Sequence, residues 1–143
     1  QYLIRDLFKK ITLFDNRVLE AKTRKVSNGY ETKITVRASK MYADSVGRET
    51  PALLDDWIIV GLLSKPEQGK KYGNPLEMRR LRMRNKEETI LFITKEKPWQ
   101  AGIDPYCYLI DRVPDDNLKS VSDQYRAWPY YKKQFLTSIL SSL

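Results

Sequence analysis

Three arginines spaced two residues apart are the side chains with the clearest chemical potential in this sequence: Arg80, Arg82 and Arg84. Residues two apart in an extended strand point to the same face, so the three guanidinium groups would lie side by side. Lys70 and Lys71 precede them, and residues 70–86 hold seven basic residues and one acidic residue. Guanidinium groups bind carboxylates and phosphates, so this stretch predicts a face for an anionic partner. The alternative is the ordinary solvated side of a sheet, on which arginine stems cover apolar surface.

Three kinds of anionic partner fit such a face: lipid headgroups, an acidic protein surface and nucleic acid. The whole chain carries a formal net charge of +8, which is compatible with all three. Tyr72 could add a ring on which a base stacks. However, the sequence has no RNA-binding motif and no repeated alternation of basic and aromatic residues, so nucleic acid ranks below the other two.

Carboxylates are concentrated in the segment 97–117, which contains Asp104, Asp111, Asp115 and Asp116. Oxygen ligands of this type suit calcium, but their spacing matches no calcium-binding loop. Asp also favours turns, because its side chain accepts hydrogen bonds from nearby backbone N–H groups. We therefore predict an acidic turn here, and a second one at Asp55-Asp56.

The composition limits catalysis severely. The chain of 143 residues has no His and a single Cys, Cys107, so the commonest general base and the usual activator of a nucleophile are missing. We predict no catalytic, cofactor-binding or metal-binding residue in this chain. Cys107 is expected to be a small packed residue, and Trp57 and Trp99 are expected to pack in the core or on a sheet.

Apolar and polar residues alternate with a period of two over most of the chain. This pattern predicts that β-strands position the side chains described above. Residues 18–26 and 30–42 predict a hairpin around Ser27-Asn28-Gly29, since Asn-Gly is typical of tight hairpin turns. Further strands are predicted over residues 56–63, 76–84, 89–95 and 103–111. The stretch 56–63 is apolar on both faces, as in a central strand, whereas Pro105 favours an edge position for the last strand. This pattern is typical of an antiparallel β-sandwich, immunoglobulin- or fibronectin-like in architecture.

Both ends of the chain show a different pattern. Leu3, Leu7, Ile11 and Phe14 recur at helical spacing, which predicts an N-terminal helix ending near Asp15-Asn16. We therefore divide the chain into a helix over 1–16, a β-sandwich domain over 17–121 and a tail over 122–143. The tail is predicted to be helical, either packed on the domain or meeting another part of a longer protein.

Three passages together resemble a known family: residues 2–17, residues 42–50 and residues 101–117. The last passage reads Ala-Gly-Ile-Asp-Pro-Tyr, followed by Leu-Ile-Asp-Arg and Pro-Asp-Asp-Asn. In order and spacing the passages resemble the extreme C-terminal region of bacterial, especially Bacteroidetes-type, fusion proteins. These proteins join an ABC-transporter permease to an aminopeptidase-N-like zinc metallopeptidase. The resemblance covers roughly residues 1–120, and the tail is not part of it.

The resemblance implies a role without catalysis for this chain. In such a fusion, zinc is bound by a His-Glu-x-x-His helix in the peptidase part, and no residue here matches that motif. The chain would be an accessory β-domain that supports the peptidase or shapes substrate access, and its partners would be the other parts of the polypeptide. The parent protein would lie in the bacterial inner membrane, with this domain soluble and on the periplasmic side. The alternative is a free-standing interaction module that uses the arginine face.

Overall fold

The computed structural model describes residues 10–123, which form nine strands and one short 3₁₀-helix. The strands are β1 (Ile11–Val26), β2 (Gly29–Ala43), β3 (Glu49–Ala52), β4 (Asp56–Leu63), β5 (Pro75–Met83), β6 (Glu87–Thr94), β7 (Gln100–Ile103), β8 (Leu118–Ser120) and β9 (Ser122–Asp123). The 3₁₀-helix spans Pro114–Asn117. Within residues 10–123, no helix has the length and apolar content needed to cross a bilayer.

A long hairpin of β1 and β2 forms the centre of the first sheet. The two strands pair antiparallel from Ile11 opposite Ala43 to Val26 opposite Gly29, with a bulge after Val18. Ser27 and Asn28 form the turn, and the positive φ of 136° falls on Gly29. The predicted hairpin is therefore confirmed.

Two short partners share the outer edge of β2. β6 pairs with residues 30–37 of β2, and β3 pairs with residues 40–43, both antiparallel. On the other side of the hairpin, β9 pairs in parallel with β1. The edge of β2 thus changes partner between Arg37 and Lys40.

The second sheet has the order β5-β4-β7-β8, and all its pairings are antiparallel. β4 lies between two neighbours, as its apolar sequence predicts, and its observed bounds are the predicted ones. Its inward side chains face those of the first sheet.

One apolar core joins the two sheets. Its fully buried members come from both: Ile34 and Val36 on β2, Phe92 on β6, Ile58, Val60 and Leu62 on β4, Met83 on β5 and Ile103 on β7. Burying side chains of this size stabilises the fold by about 1.5–3 kcal/mol each. The prediction of a mainly β fold, with two largely antiparallel sheets, is confirmed.

Two details of the predicted elements are wrong. Residues 11–16 belong to strand β1 and not to a helix; the inward positions there are Phe14, Asn16 and Val18, and the polar Asn16 hides the period of two. The predicted strand 103–111 ends at Ile103, because the chain turns at Asp104 and Cys107, which have φ values of 43° and 55°. Residues 122–123 form β9, which pairs with β1, so the strands extend two residues into the predicted tail. The rest of the two predicted terminal helices lies outside the described residues.

Candidate functional site: an aromatic and basic face on the second sheet

The register of β4 and β5 places the predicted arginines beside an aromatic ring. Arg82 lies opposite Trp57 and Arg80 lies opposite Ile59, so these four side chains share the outer face of the second sheet. The side chain of Ile58, between them, is buried in the core. Because side chains alternate along a strand, the outer face displays the arginines while the inner face stabilises the fold.

Asp55 holds two of the three arginines. The Nε and Nη2 atoms of Arg82 donate to the two carboxylate oxygens at 2.6 and 2.8 Å, and Nε of Arg84 donates at 3.1 Å. The hydrogen bonds from Arg82, then those from Arg84, lower the pKa of Asp55, and Asp55 raises the pKa of Arg82. Two cations that the sequence offers to a partner are therefore shared with a carboxylate of the same chain.

Arg80 is in a different environment. Among the residues that the structure describes, no carboxylate pairs with it; its guanidinium carbon lies 5.6 Å from the centre of the Trp57 ring. Trp57 itself is 53% exposed. A cation beside an exposed indole keeps its N–H donors available while the ring stabilises its charge.

The turn after β7 brings tyrosines to the same face. Asp104 is buried, and its carboxylate accepts hydrogen bonds from the backbone N–H groups of Tyr108 and Leu109 at 3.1 and 2.9 Å. Its own N–H donates to the carbonyl of Ile59 on β4 at 2.6 Å. This anchor folds the turn over the sheet and leaves Tyr108 72% exposed. Burial raises the pKa of Asp104, against the effect of the two N–H donors.

The tyrosines form a continuous row. The ring centres of Tyr72 and Tyr106 lie 6.0 Å apart, as do those of Tyr106 and Tyr108, both in edge-to-face geometry. A cleft of about 250 Å³ separates Tyr108 from Trp57 and Arg80. We call the surface formed by Trp57, Tyr72, Arg80, Tyr106 and Tyr108 the aromatic–basic face.

The two predicted lysines lie at or beyond the far end of this face. Nζ of Lys70 pairs with Glu67 at 2.6 Å. Nζ of Lys71 lies 5.5 Å from the centre of the Tyr72 ring and 3.8 Å from an oxygen of Asp115. Arg79, the remaining arginine of β5, pairs with Glu77.

Of the seven basic residues in 70–86, only two thus have no carboxylate partner within the described part of the chain: Arg80 and Lys86. These two cations lie at different places in the fold: Arg80 is on the aromatic–basic face, and Lys86 follows β5 in the connection to β6.

The predicted acidic turn contains a local network of hydrogen bonds. The Asp111 carboxylate accepts the N–H groups of Val113 at 2.9 Å and of Asn16 at 3.0 Å. The buried Asn117 amide can donate to the Asn16 carbonyl at 2.6 Å. Burial raises the pKa of Asp116, and the nearby positive charge of Arg17 partly offsets this increase. Within residues 10–123, no group of three or more His, Cys, Asp or Glu side chains could hold a metal ion.

The prediction that Cys107 is a small packed residue is wrong, because Cys107 is exposed. Trp57 and Trp99 are about half exposed, so neither lies in the core; Trp57 lies on the outer face of the second sheet, one of the two positions predicted for it. Tyr106 and Tyr108 were also missed as parts of a surface, because a strand over 103–111 would have placed them in a sheet. The local signal that could have found them is Asp104-Pro105, a pair that favours turns.

The arrangement is suited to binding. Its outward groups are aromatic rings and a guanidinium, and its one buried carboxylate, Asp104, has both oxygens occupied by backbone N–H donors. Comparisons with protein-family models, curated proteins and solved structures found no match for this chain.

Proposed function

We propose that this chain is a non-catalytic accessory β-domain that binds an acidic protein surface through its aromatic–basic face. The observation that carries this proposal is the position of Arg80, which lies against the half-exposed Trp57, beside Tyr108, with no carboxylate partner in the described residues. Trp, Tyr and Arg are the residues that most often dominate the binding energy of protein interfaces.

The neighbouring charges favour a protein partner over a polyanion. Asp55 lies at one end of the face and forms ion pairs with Arg82 and Arg84, while the exposed Asp115 lies near Lys71 at the other end. These carboxylates would repel a phosphate backbone or a dense layer of anionic headgroups. Because the two carboxylates lie at the ends of the face, a protein partner could still present one or two carboxylates to Arg80 and pack apolar groups against the rings.

The partner that the sequence resemblance suggests is another part of the same polypeptide. On this proposal the domain docks on the peptidase part of a permease–peptidase fusion, with zinc bound only in that part, at the periplasmic side of the bacterial inner membrane. An immunoglobulin- or fibronectin-like architecture belongs to the same proposal and is supported by the two facing sheets. The coding sequence before Gln1 tests the parentage: it should encode a His-Glu-x-x-His helix and membrane spans.

The binding proposal is tested directly with three probes: an acidic peptide of alternating Glu and Tyr, vesicles with an anionic lipid, and single-stranded oligothymidylate. We expect the peptide to bind best at about 150 mM salt, where exposed charges are partly screened. Arg80→Ala and Trp57→Ala should each weaken peptide binding about tenfold, as measured by calorimetry.

Arg48→Ala is the matched control, because Arg48 is exposed on the loop between β2 and β3 and its loss changes the net charge equally. It should alter the affinity by less than about twofold. Equal losses in Arg80→Ala and Arg48→Ala would mean that only the overall charge attracts the peptide. Preferred binding of the vesicles or of the oligonucleotide would replace the acidic protein with that partner.

A further inference from the structure

A second cleft lies beyond the end of β5, where the edge of β2 changes partner. β6 pairs with β2 as far as Arg37, and β3 begins to pair at Lys40. Between them, the N–H of Ala38 donates to the carbonyl of Lys86 in the β5–β6 connection at 2.9 Å. The interrupted edge therefore opens a gap between β3 and the β5–β6 connection.

The walls of this cleft are apolar and its rim is basic. The cleft holds about 340 Å³, within the range of small-ligand sites. Five of its lining residues are apolar: Ala38, which is fully buried, and Met41, Pro51, Ala52 and Leu54. Ser39 and three cations complete the lining, and the cations are Lys40, Arg84 and Lys86.

The three cations are not equally available. Nζ of Lys40 donates to both oxygens of Asp56, at 3.0 and 3.1 Å, so its charge is already balanced. Arg84 gives only its Nε to Asp55, and its side chain is 63% exposed. Lys86 has no carboxylate partner in the described residues. A ligand with a negative group at the rim would therefore meet Lys86 and the outer nitrogens of Arg84.

The geometry points to a binding site for a single-chain amphipathic anion. Its aliphatic chain would replace water along Met41, Pro51 and Ala52, and its carboxylate or phosphate would pair with Lys86 and Arg84. A neutral chain would leave the rim cations without a partner, and a short anion would leave the apolar walls in water. The ligand needs both parts, and this site is distinct from the aromatic–basic face.

Titrations monitored by the amide signals in NMR separate the contribution of the ligand's charged group from that of its aliphatic chain. Sodium octanoate and octyl phosphate should bind with Kd at or below about 1 mM. Octanol, which lacks the charge, and acetate, which lacks the chain, should each bind at least about tenfold more weakly. Whichever of the two anions binds tighter identifies the headgroup. Shifts should map to residues 38–41, 51–54 and 84–86.

Two variants test the roles of the rim cation Lys86 and of the apolar wall at Ala52. Lys86→Ala should weaken octanoate binding at least about fivefold, while Lys25→Ala, which removes an exposed lysine at the end of β1, should leave it unchanged. Ala52→Leu fills the cleft and should abolish binding without unfolding the domain, which thermal melting verifies. The proposal fails if octanol binds as well as octanoate, if no anion binds, or if the shifts map to the aromatic–basic face.

Discussion

Asp104 and Asp55 are two carboxylates of this chain with opposite electrostatic environments. Burial raises the pKa of Asp104 above its ordinary value of 3.8, whereas Arg82 and Arg84 lower the pKa of Asp55. The folded state therefore holds the Asp104 proton more tightly than the unfolded state does. The contribution of Asp104 to the free energy of unfolding is largest at low pH and falls as the pH rises through its folded-state pKa. For Asp55 the contribution is present above pH 3.8 and is lost as the pH falls through the lowered pKa.

Replacing each carboxylate by an amide should reveal these opposite signs. Asp104→Asn leaves one of two partly buried N–H groups without its acceptor and should cost about 1–2 kcal/mol at pH 7. The deficit relative to the natural chain should grow as the pH falls from 7 towards 3.8. The deficit of Asp55→Asn should shrink on further acidification. Urea denaturation from about pH 2.5 to pH 7 measures both, and a deficit that changes in the same direction for the two variants would contradict these environments.

At the scale of elements, the hairpin of β1 and β2 depends on Gly29. Its φ of 136° is outside the range of L-residues, and an added Cβ would overlap the carbonyl of Thr94 at the end of β6. Gly29→Ala should therefore destabilise the domain by about 2–4 kcal/mol, since both backbone strain and a clash must be relieved. Thermal or urea unfolding gives the magnitude.

Gly47→Ala separates strain from the clash. Gly47 has a φ of 79°, but a Cβ there would meet nothing within 4 Å. This variant should cost only about 1 kcal/mol, the strain of the backbone alone. Similar losses at the two positions would show that the contact between Gly29 and β6 does not matter.

Local patterns predict the strands of this chain well and its surface poorly. The strand Asp56–Leu63 and the hairpin turn follow from a period of two and from Asn-Gly, which are properties of neighbouring residues. The aromatic–basic face depends on a backbone turn at Asp104 that is held by Ile59, 45 residues earlier in the sequence. No local period describes such a contact, so the sequence pattern alone predicts a strand at Tyr106 and Tyr108.

A contact that is distant in the sequence also explains why a helix is wrongly predicted over residues 11–16, which belong to β1. Ile11 and Phe14 fit a helical period, while Asn16, a buried polar residue on the inner face of β1, breaks the period of two. Its N–H donates to Asp111, nearly a hundred residues away in the sequence. Of the three arginines that the sequence predicts on one face, two share the carboxylate of Asp55, and only the structure reveals this ion pairing.

At the scale of the whole molecule, the two sheets share one core, so they should unfold together. Ile34 is fully buried on β2 in the first sheet, and it belongs to the same apolar cluster as Val60 and Leu62 in the second. Ile34→Ala should cost about 2–5 kcal/mol, because it removes buried methyl groups and leaves a cavity between the sheets. Ile93→Ala is the matched control: Ile93 is 56% exposed on β6, and its loss should cost less than about 1 kcal/mol.

Two spectroscopic probes can establish whether Ile34→Ala lowers the stability of both sheets. Trp57 and Trp99 report on the second sheet when Trp128 is replaced by Phe in every chain, and far-ultraviolet circular dichroism reports on all strands. In Ile34→Ala, fluorescence and circular dichroism should give the same lowered urea midpoint, although the substitution is in the first sheet. A fluorescence midpoint that stays at the value of the natural chain while the dichroism midpoint falls would mean that the sheets are separate folding units. Coincident transitions would mean that any partner bound on the second sheet also stabilises the first, because ligand binding stabilises the whole cooperative unit.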